Sequence, residues 1–210
     1  MNTERTHALA QLLRDSSQIW TGRQIAPVRA RRTGFASLDR LLPGHGWPLN
    51  ALIELLPMVE GMGEVQLLLP VLKRVAAEAR DIVIIRPPHV PYPPALEQAG
   101  LPLNRLIWIE ATSDADAHWA AEQTLREGIA GAVLLWSDVS KDVAVRRLQV
   151  AAREGNGLTF LYRSPAVSIK SSPAAVRLRL HPKPNAIGIE VLKAQGGRTE
   201  TVTLPLGEAA

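Results

Sequence analysis

The chain has 210 residues, of which 46% are hydrophobic and 21% are charged, as is typical of a soluble globular protein with a sizeable core. It contains no cysteine, which excludes disulfides and thiolate metal sites and fits a bacterial cytoplasm. No apolar run reaches the ~18–20 residues of a membrane span, and the N-terminus lacks an apolar signal region. The five histidines show no spacing of three or four residues, so we expect no metal site.

The net charge of +4 is unevenly distributed along the chain. Residues 1–35 carry a net charge of +4, residues 36–164 carry −3, and residues 165–210 carry +3. A basic arm and tail on a mildly acidic core suggest an acidic partner, either protein or nucleic acid. A solvated arm without a partner explains the same pattern equally well.

The N-terminal region is predicted to be an arm outside the main domain. Residues 7–15 have the apolar spacing of a short helix, residues 18–25 are extended, and residues 26–32 form a linker that contains proline and arginine. Such an arm is suited to docking on a neighbouring molecule, although folding back on its own domain is an equal alternative. The predicted division is therefore an arm and linker at 1–32 and a core domain at 33–210.

The core domain shows an alternation of strands and helices. Predicted strands cover 51–56, 81–85, 105–110, 132–136 and 158–162, and predicted helices cover 35–42, 64–80, 94–99, 113–127 and 140–154. Pro70 is expected to kink the second of these helices. After residue 173, strands at 175–180, 187–193 and 200–206 alternate with turns. The pattern predicts an α/β fold with a mainly parallel sheet flanked by helices and an antiparallel C-terminal extension.

The stretch from Ile53 to Arg80 has the layout of a phosphate-binding loop: a strand, a loop with glycines, and a helix. A working Walker A loop needs a lysine for the phosphates and a hydroxyl for magnesium. Here Gly61 and Gly63 are present, but Glu64 and Val65 occupy the lysine and hydroxyl positions. The sequence therefore predicts a degenerate phosphate loop without a nucleotide cofactor.

Residues 33–42 (TGFASLDRLL) and 45–55 (HGWPLNALIEL) resemble the recombinase RecA around its phosphate loop, within a diffuse similarity from about residue 9 to 195. The degenerate loop and the upstream segment 19–24 (IWTGRQ) are more similar to the ImuA family of RecA-like accessory proteins. This resemblance implies a RecA-like three-layer fold. Pro88, Trp136 and Ser164 would then stand where RecA has its catalytic glutamate, its magnesium-binding aspartate and its γ-phosphate-sensing glutamine, so we expect no enzyme activity.

The resemblance to ImuA implies a non-catalytic adaptor in the SOS response to DNA damage, acting in mutagenic translesion synthesis and DNA repair. The implied partners are RecA, a Y-family-like polymerase homologue and an error-prone replicative-type polymerase, and the adaptor would limit RecA filaments. In RecA the N-terminal arm packs on the adjacent subunit, so docking on RecA is predicted for Ile19, Trp20, Arg23 and Ile25. A shortened DNA-binding loop with Arg163 and Lys170 allows weak backbone contact with DNA.

An alternative function comes from a different class of protein. SulA-like cell-division inhibitors, which bind the tubulin-like division GTPase, are also catalytically inactive relatives of RecA. The predicted arm and the long C-terminal region favour the translesion adaptor over this alternative.

Several side chains have ordinary structural interpretations. The tryptophans at 47, 108 and 136 adjoin predicted strands, so we expect them to be core or lining residues instead of contacts with a partner, and Trp119 on a capped helix is expected in the core. Arg146 and Arg147 are expected on a solvated helix surface. Arg177 and Arg179 alternate with apolar residues and therefore lie on one sheet face, either as a basic surface or as an ordinary wet side.

Overall fold

A computed structural model of the chain describes residues 28–138 and 142–205. The strands are β1 (Ala30–Arg31), β2 (Trp47–Pro48), β3 (Leu52–Pro57), β4 (Asp81–Ile85), β5 (Leu106–Ile109), β6 (Ala130–Trp136), β7 (Leu158–Tyr162), β8 (Val176–Lys183), β9 (Ala186–Ala194) and β10 (Thr201–Pro205). The α-helices are α1 (Ala36–Asp39), α2 (Leu69–Ala77), α3 (Pro93–Gln98), α4 (Asp114–Glu127) and α5 (Asp142–Glu154). Short 3₁₀ turns cover Pro43–His45, Gln66–Leu68, Leu103–Arg105 and Pro165–Ile169.

The architecture is a mixed α/β fold around one large sheet. Its eight strands have the order β10-β9-β8-β3-β7-β6-β4-β5, and the six strands from β8 to β5 are parallel. β9 and β10 extend the sheet with antiparallel pairing. The prediction of a mainly parallel sheet flanked by helices is confirmed. The antiparallel extension begins one strand later than predicted, because β8 pairs in parallel with β3.

Each face of the sheet has its own hydrophobic core. Ile53 and Leu55 of β3 lie in the core that α2 covers, where Trp47 and Phe160 meet edge to face with ring centroids 5.3 Å apart. Leu52 lies in the second core, under α4 and α5. β3 and β7 are buried on both faces, which explains their nearly continuous apolar sequence.

The predicted helix at 64–80 is shorter, and its predicted kink is absent. A 3₁₀ turn precedes α2, so Pro70 falls in the first turn of the helix instead of its interior. Proline is tolerated there, because the first N–H groups of a helix have no carbonyl partner within the helix. The ring of Pro70 packs against Gly34, whose φ of 98° lies in the left-handed region.

Two of the four tryptophans differ from the prediction. Trp47 is fully buried and Trp136 is half-buried, whereas Trp108 is 46% exposed and Trp119 is 63% exposed. Trp108 is exposed because β5 is the last strand of the sheet within the described residues. Trp119 lies on the outer surface of α4.

The predicted helix and extended segment of the N-terminal arm lie outside the described residues, and so do Ile19, Trp20, Arg23 and Ile25. Across residues 28–138 and 142–205, none of the helices is both long enough and apolar enough to cross a membrane. Within the same ranges, no cluster of three or more histidine or acidic side chains is arranged to hold a metal ion.

Candidate functional site

A cleft of about 670 Å³ opens at the carboxyl ends of the parallel strands β3, β4, β6 and β7. From β3 the chain runs along the sheet to β4 and β5, and it then returns through β6 and β7. The strand order therefore reverses between the adjacent strands β4 and β6, whose carboxyl ends line the cleft. Ligands of α/β proteins bind at this position in a sheet. The lining residues are Pro57, Met58, Glu60, Glu64, Arg86, Pro87, Pro88, Asp114, Trp136, Ser137, Asp138, Tyr162, Arg163, Ser164 and Pro165.

Three positions that the sequence comparison with RecA singled out meet in this cleft. Pro88 follows β4, Trp136 ends β6, and Ser164 follows β7, and all three line the cleft. The structure therefore brings these three positions together in one cleft. Trp136 stacks on Tyr162, with ring centroids 4.2 Å apart and planes 5° from parallel. Beside them, the carboxylate of Asp138 accepts a hydrogen bond of 2.7 Å from the Ser164 N–H.

The loop after β3 closes one side of the cleft around Glu64. Gly61 and Gly63 have φ angles of 73° and 93°, which glycine adopts without strain. They let the loop turn back, so that the Gly61 N–H donates to Glu64 Oε1 at 3.3 Å. The Tyr162 hydroxyl donates to the Glu64 carbonyl at 3.4 Å. Burial, together with the negative charge of Glu64, raises the pKa of Tyr162 well above its ordinary value.

This geometry is not that of a phosphate loop. In a phosphate loop, free N–H groups at a helix N-terminus face the anion. Here a 3₁₀ turn separates Glu64 from α2, which begins only at Leu69. The Gly61 N–H faces the protein's own carboxylate, which repels a phosphate.

A polar chain that the sequence did not reveal runs along another side of the cleft. Arg86, which directly follows β4 with a φ of 51°, forms an ion pair with Asp114 in the first turn of α4. The Ser137 hydroxyl donates to Asp114 Oδ1 at 2.8 Å and lies 3.0 Å from His118 Nε2. Burial lowers the pKa of His118, against the opposing effect of the negative charges of Asp114 and Glu122. His118 is therefore neutral near pH 7.

A buried ionic cluster lies behind the cleft. Glu54 of β3 is fully buried and accepts hydrogen bonds from Arg163 Nη1 at 3.1 Å, Arg177 Nε at 2.6 Å and Ser172 Oγ at 2.6 Å. Neither interpretation of Arg177 as a surface residue is correct, because its side chain is only 6% exposed. The weak DNA contact predicted through Arg163 fails for the same reason, since its side chain is also only 6% exposed and pairs with Glu54. A lone glutamate in an otherwise apolar strand was the sequence signal for this cluster.

A second surface lies at the outer edge of the sheet, and we call it the β5 edge surface. Exposed apolar side chains lie on β5 and in the segments that precede it, with exposures between 36% and 72%: Val90, Tyr92, Leu103, Ile107 and Trp108. Ile107 and Trp108 are consecutive residues of β5 and therefore project from opposite faces of the sheet. Within the described residues, β5 pairs only with β4, so its other edge has unpaired backbone groups. Exposed apolar patches and free strand edges are common features of protein interaction sites.

These features define a mixed α/β protein with a mainly parallel sheet flanked by helices and a cleft at its carboxyl edge. The profile of the family "Cell division inhibitor SulA" matches residues 52–159, from the start of β3 into β7. This match covers just over half of the chain, and the protein therefore belongs to the SulA family of cell division inhibitors.

The chain is also similar to individual proteins of known name. A cell division inhibitor SulA from Photorhabdus laumondii is 33% identical over 119 residues, which cover 55% of this chain and 67% of the relative. A SulA from Yersinia pestis (strain Pestoides F) is 28% identical over 117 residues, covering 55% and 69% of the two chains. A crystal structure of SulA from Pseudomonas aeruginosa shows 26% identity and a TM-score of 0.46, covering 53% of this chain and 97% of that one.

The family corrects the function expected from the resemblance to ImuA. The predicted role in translesion synthesis, mutagenesis and DNA repair is wrong, as are the predicted partners RecA and the two polymerases and the degenerate Walker A assignment. The resemblance to ImuA rested on the degenerate loop and on residues 19–24. The broader resemblance to RecA rested on residues 33–55, where Phe35, Leu38, Leu41, Leu42 and Trp47 are buried core residues. Such residues report a shared way of packing and carry no information on partners.

Proposed function

We propose that this protein inhibits bacterial cell division by binding the tubulin-like division GTPase in the cytoplasm, without catalysis of its own. The observation that carries this proposal is the match of the SulA family profile to residues 52–159. That range includes β3, β4, β5 and β6 and the first two residues of β7. It also includes the β5 edge surface and the residues that line the cleft up to Asp138.

We further propose that the architecture is RecA-like, with the division into an arm at 1–32 and a core at 33–210. The six parallel strands and their covering helices on both faces support this assignment. A RecA-like architecture in this protein would retain the fold of RecA without its nucleotide-hydrolysing chemistry.

The β5 edge surface is the proposed contact with the GTPase. Trp108 and Tyr92 are 46% and 68% exposed there, and both residues lie inside the matched range. Tryptophan and tyrosine are the residue types most enriched at the energetic centres of protein interfaces. The free edge of β5 adds backbone donors and acceptors that can pair with an extended segment of the partner.

The test is GTP-dependent polymer formation by the division GTPase of the same cell, followed by light scattering, together with the rate of phosphate release. We expect this protein to suppress both signals at a molar ratio near one to one. The protein alone with GTP or ATP serves as the blank, and it should release no phosphate. Unchanged polymer formation at a molar excess of the protein would refute the proposed function.

The contact surface is tested with two exposed tryptophans. Trp108→Ala should weaken binding by about 2 kcal/mol, or roughly 30-fold, because the partner loses a large apolar anchor. Trp119→Ala is the matched control, since Trp119 is 63% exposed but lies on α4 and away from β5. Both variants should keep the melting temperature of the wild type. Equal effects of the two substitutions would place the contact elsewhere.

A further inference from the structure

The cleft at the carboxyl edge carries more negative than positive charge. Its described lining residues include four carboxylates, from Glu60, Glu64, Asp114 and Asp138, and two guanidinium groups, from Arg86 and Arg163. Arg86 and Asp114 form an ion pair and neutralise each other, and Arg163 shares the buried carboxylate of Glu54 with Arg177. The two arginines and one glutamate of that cluster carry one positive charge, against the three carboxylates of Glu60, Glu64 and Asp138. The charge that remains for a ligand is therefore negative, and the cleft favours a cation.

Glu64 is the residue that indicates where this cation would sit. It is only 5% exposed, and among the described residues its Oε2 atom is buried with no hydrogen-bond partner. Its other oxygen has one long hydrogen bond, of 3.3 Å from the Gly61 N–H. A buried carboxylate oxygen without a donor is unfavourable by about 1–3 kcal/mol or more. Glu64 lines the cleft, so a ligand that donates to this oxygen after a rotation of the carboxylate towards the cleft gains this free energy.

The surroundings of Glu64 suit an organic cation. Trp136, which stacks on Tyr162, provides an aromatic wall, and aromatic rings attract guanidinium and ammonium groups. The exposed carboxylates of Glu60 and Asp138 lie at the rim. Met58, the proline that ends β3 and the two prolines after β4 add apolar surface for an aliphatic stem.

We propose that this cleft binds a guanidinium or primary ammonium group on a short aliphatic stem, with Glu64 as its counter-ion and Trp136 as its aromatic wall. The group can belong to a free small molecule or to an arginine or lysine side chain of another polypeptide. This site does not depend on the proposed function, and its test contains no division GTPase, so either proposal can fail without the other.

The test is isothermal titration calorimetry of the full chain with three probes. Agmatine represents the free small molecule, acetyl-Ala-Arg-Ala-amide represents a side chain on a polypeptide, and the matching citrulline peptide is an uncharged control of nearly the same shape. We expect saturable binding of at least one guanidinium probe with a dissociation constant of about 1 mM or lower, which corresponds to roughly 4 kcal/mol. The citrulline peptide should bind at least about tenfold more weakly, because it lacks the charge-assisted hydrogen bond.

Variants locate the binding. Glu64→Gln removes the charge but keeps the shape, and it should weaken the guanidinium probe by about tenfold or more. Glu97→Gln is the control, since Glu97 is an exposed acid on α3 that does not line the cleft. Asp138→Asn keeps an acceptor for the Ser164 N–H and tests the rim charge, with a smaller loss expected. If the melting curve of Glu64→Gln shows that this variant does not fold, Asp138→Asn still tests the proposal.

Each outcome decides the proposal. Tighter binding of agmatine than of the arginine peptide identifies a free amine or guanidine as the ligand, and the reverse order identifies a polypeptide side chain. Absence of saturable binding for both guanidinium probes at about 10 mM would overturn the proposal, since that concentration exceeds the expected dissociation constant about tenfold. Equal binding of the arginine and citrulline peptides, or equal effects of Glu64→Gln and Glu97→Gln, would also overturn it.

Discussion

Removing the charge of Glu54 is predicted to be among the most destabilising single substitutions in this protein. The carboxylate lies directly opposite Arg177 across β3 and β8, and it also pairs with Arg163 at the end of β7. All three side chains are at least 94% buried. Glu54→Gln keeps the size of the side chain, but it leaves two arginines in the interior without their counter-charge.

The expected loss follows from the energetics of buried ion pairs. Removing one partner of such a pair destabilises a protein by about 3–5 kcal/mol, because the remaining charge is desolvated and uncompensated. Glutamine can still accept a hydrogen bond from one of its three donors, which places the estimate towards the lower half of this range. Domains are stable by only about 5–15 kcal/mol in total, so the substitution removes a large share of the stability.

Urea denaturation followed by tryptophan fluorescence measures this loss. With a slope of about 2 kcal/mol per M, the midpoint should fall by roughly 1.5–2 M. Glu190→Gln is the matched control, because its pair with Arg179 is partly exposed, at 37% and 26%, and should contribute at most about 1 kcal/mol after solvent screening. A loss below about 1 kcal/mol for Glu54→Gln would refute the assignment of a buried, charged cluster.

Two further predictions concern α4. The pKa of His118 in the folded state is lower than its ordinary 6.5. As the pH falls through that value, the unfolded chain therefore binds more protons than the folded chain, and the free energy of unfolding should decrease from pH 7.5 to 5.5. His118→Gln should reduce this decrease in urea titrations at the two pH values, and an unchanged pH dependence would contradict the burial of a neutral imidazole. Ser113 Oγ accepts the Asp116 N–H at 3.1 Å as the N-cap of α4, so Ser113→Ala should lower the stability by about 1 kcal/mol while Ser113→Thr retains most of it. Equal midpoints for the alanine and threonine variants would argue against the cap.

Local sequence signals predicted the elements of this fold well but not the order of its strands. The apolar run of β4 and the cap and glycine stop of α4 are encoded by neighbouring residues, and the structure places both elements at nearly the predicted residues. The insertion of β3 between β7 and β8 depends on pairing between segments more than 100 residues apart. A local pattern contains no information about such pairing, and therefore none about which strand forms the edge. For this reason Trp108 of the edge strand was wrongly expected in the core.

The candidate site was only partly predictable for the same reason. The sequence indicated where the cleft lies, because strand ends and the glycine loop are local features. It did not indicate that Glu54 and Arg177, 123 positions apart, form one cluster, or that Arg86 and Asp114 pair beside the cleft. An arginine that alternates with apolar residues in a strand indicates a solvent-exposed face of the sheet only when no buried acidic residue lies opposite it.

The position of a cleft and the chemistry of its ligand are set by different parts of an α/β protein. The reversal of strand order between β4 and β6 creates a crevice in any such sheet, whatever side chains surround it. The loop that follows β3 then determines what enters, and here it places the carboxylate of Glu64 where a phosphate loop presents free N–H groups. In the proposed organic-cation site, the charge of the ligand is therefore opposite to that of a phosphate. The resemblance to RecA and ImuA failed to predict the partner of the protein, because a fold does not determine what binds to it.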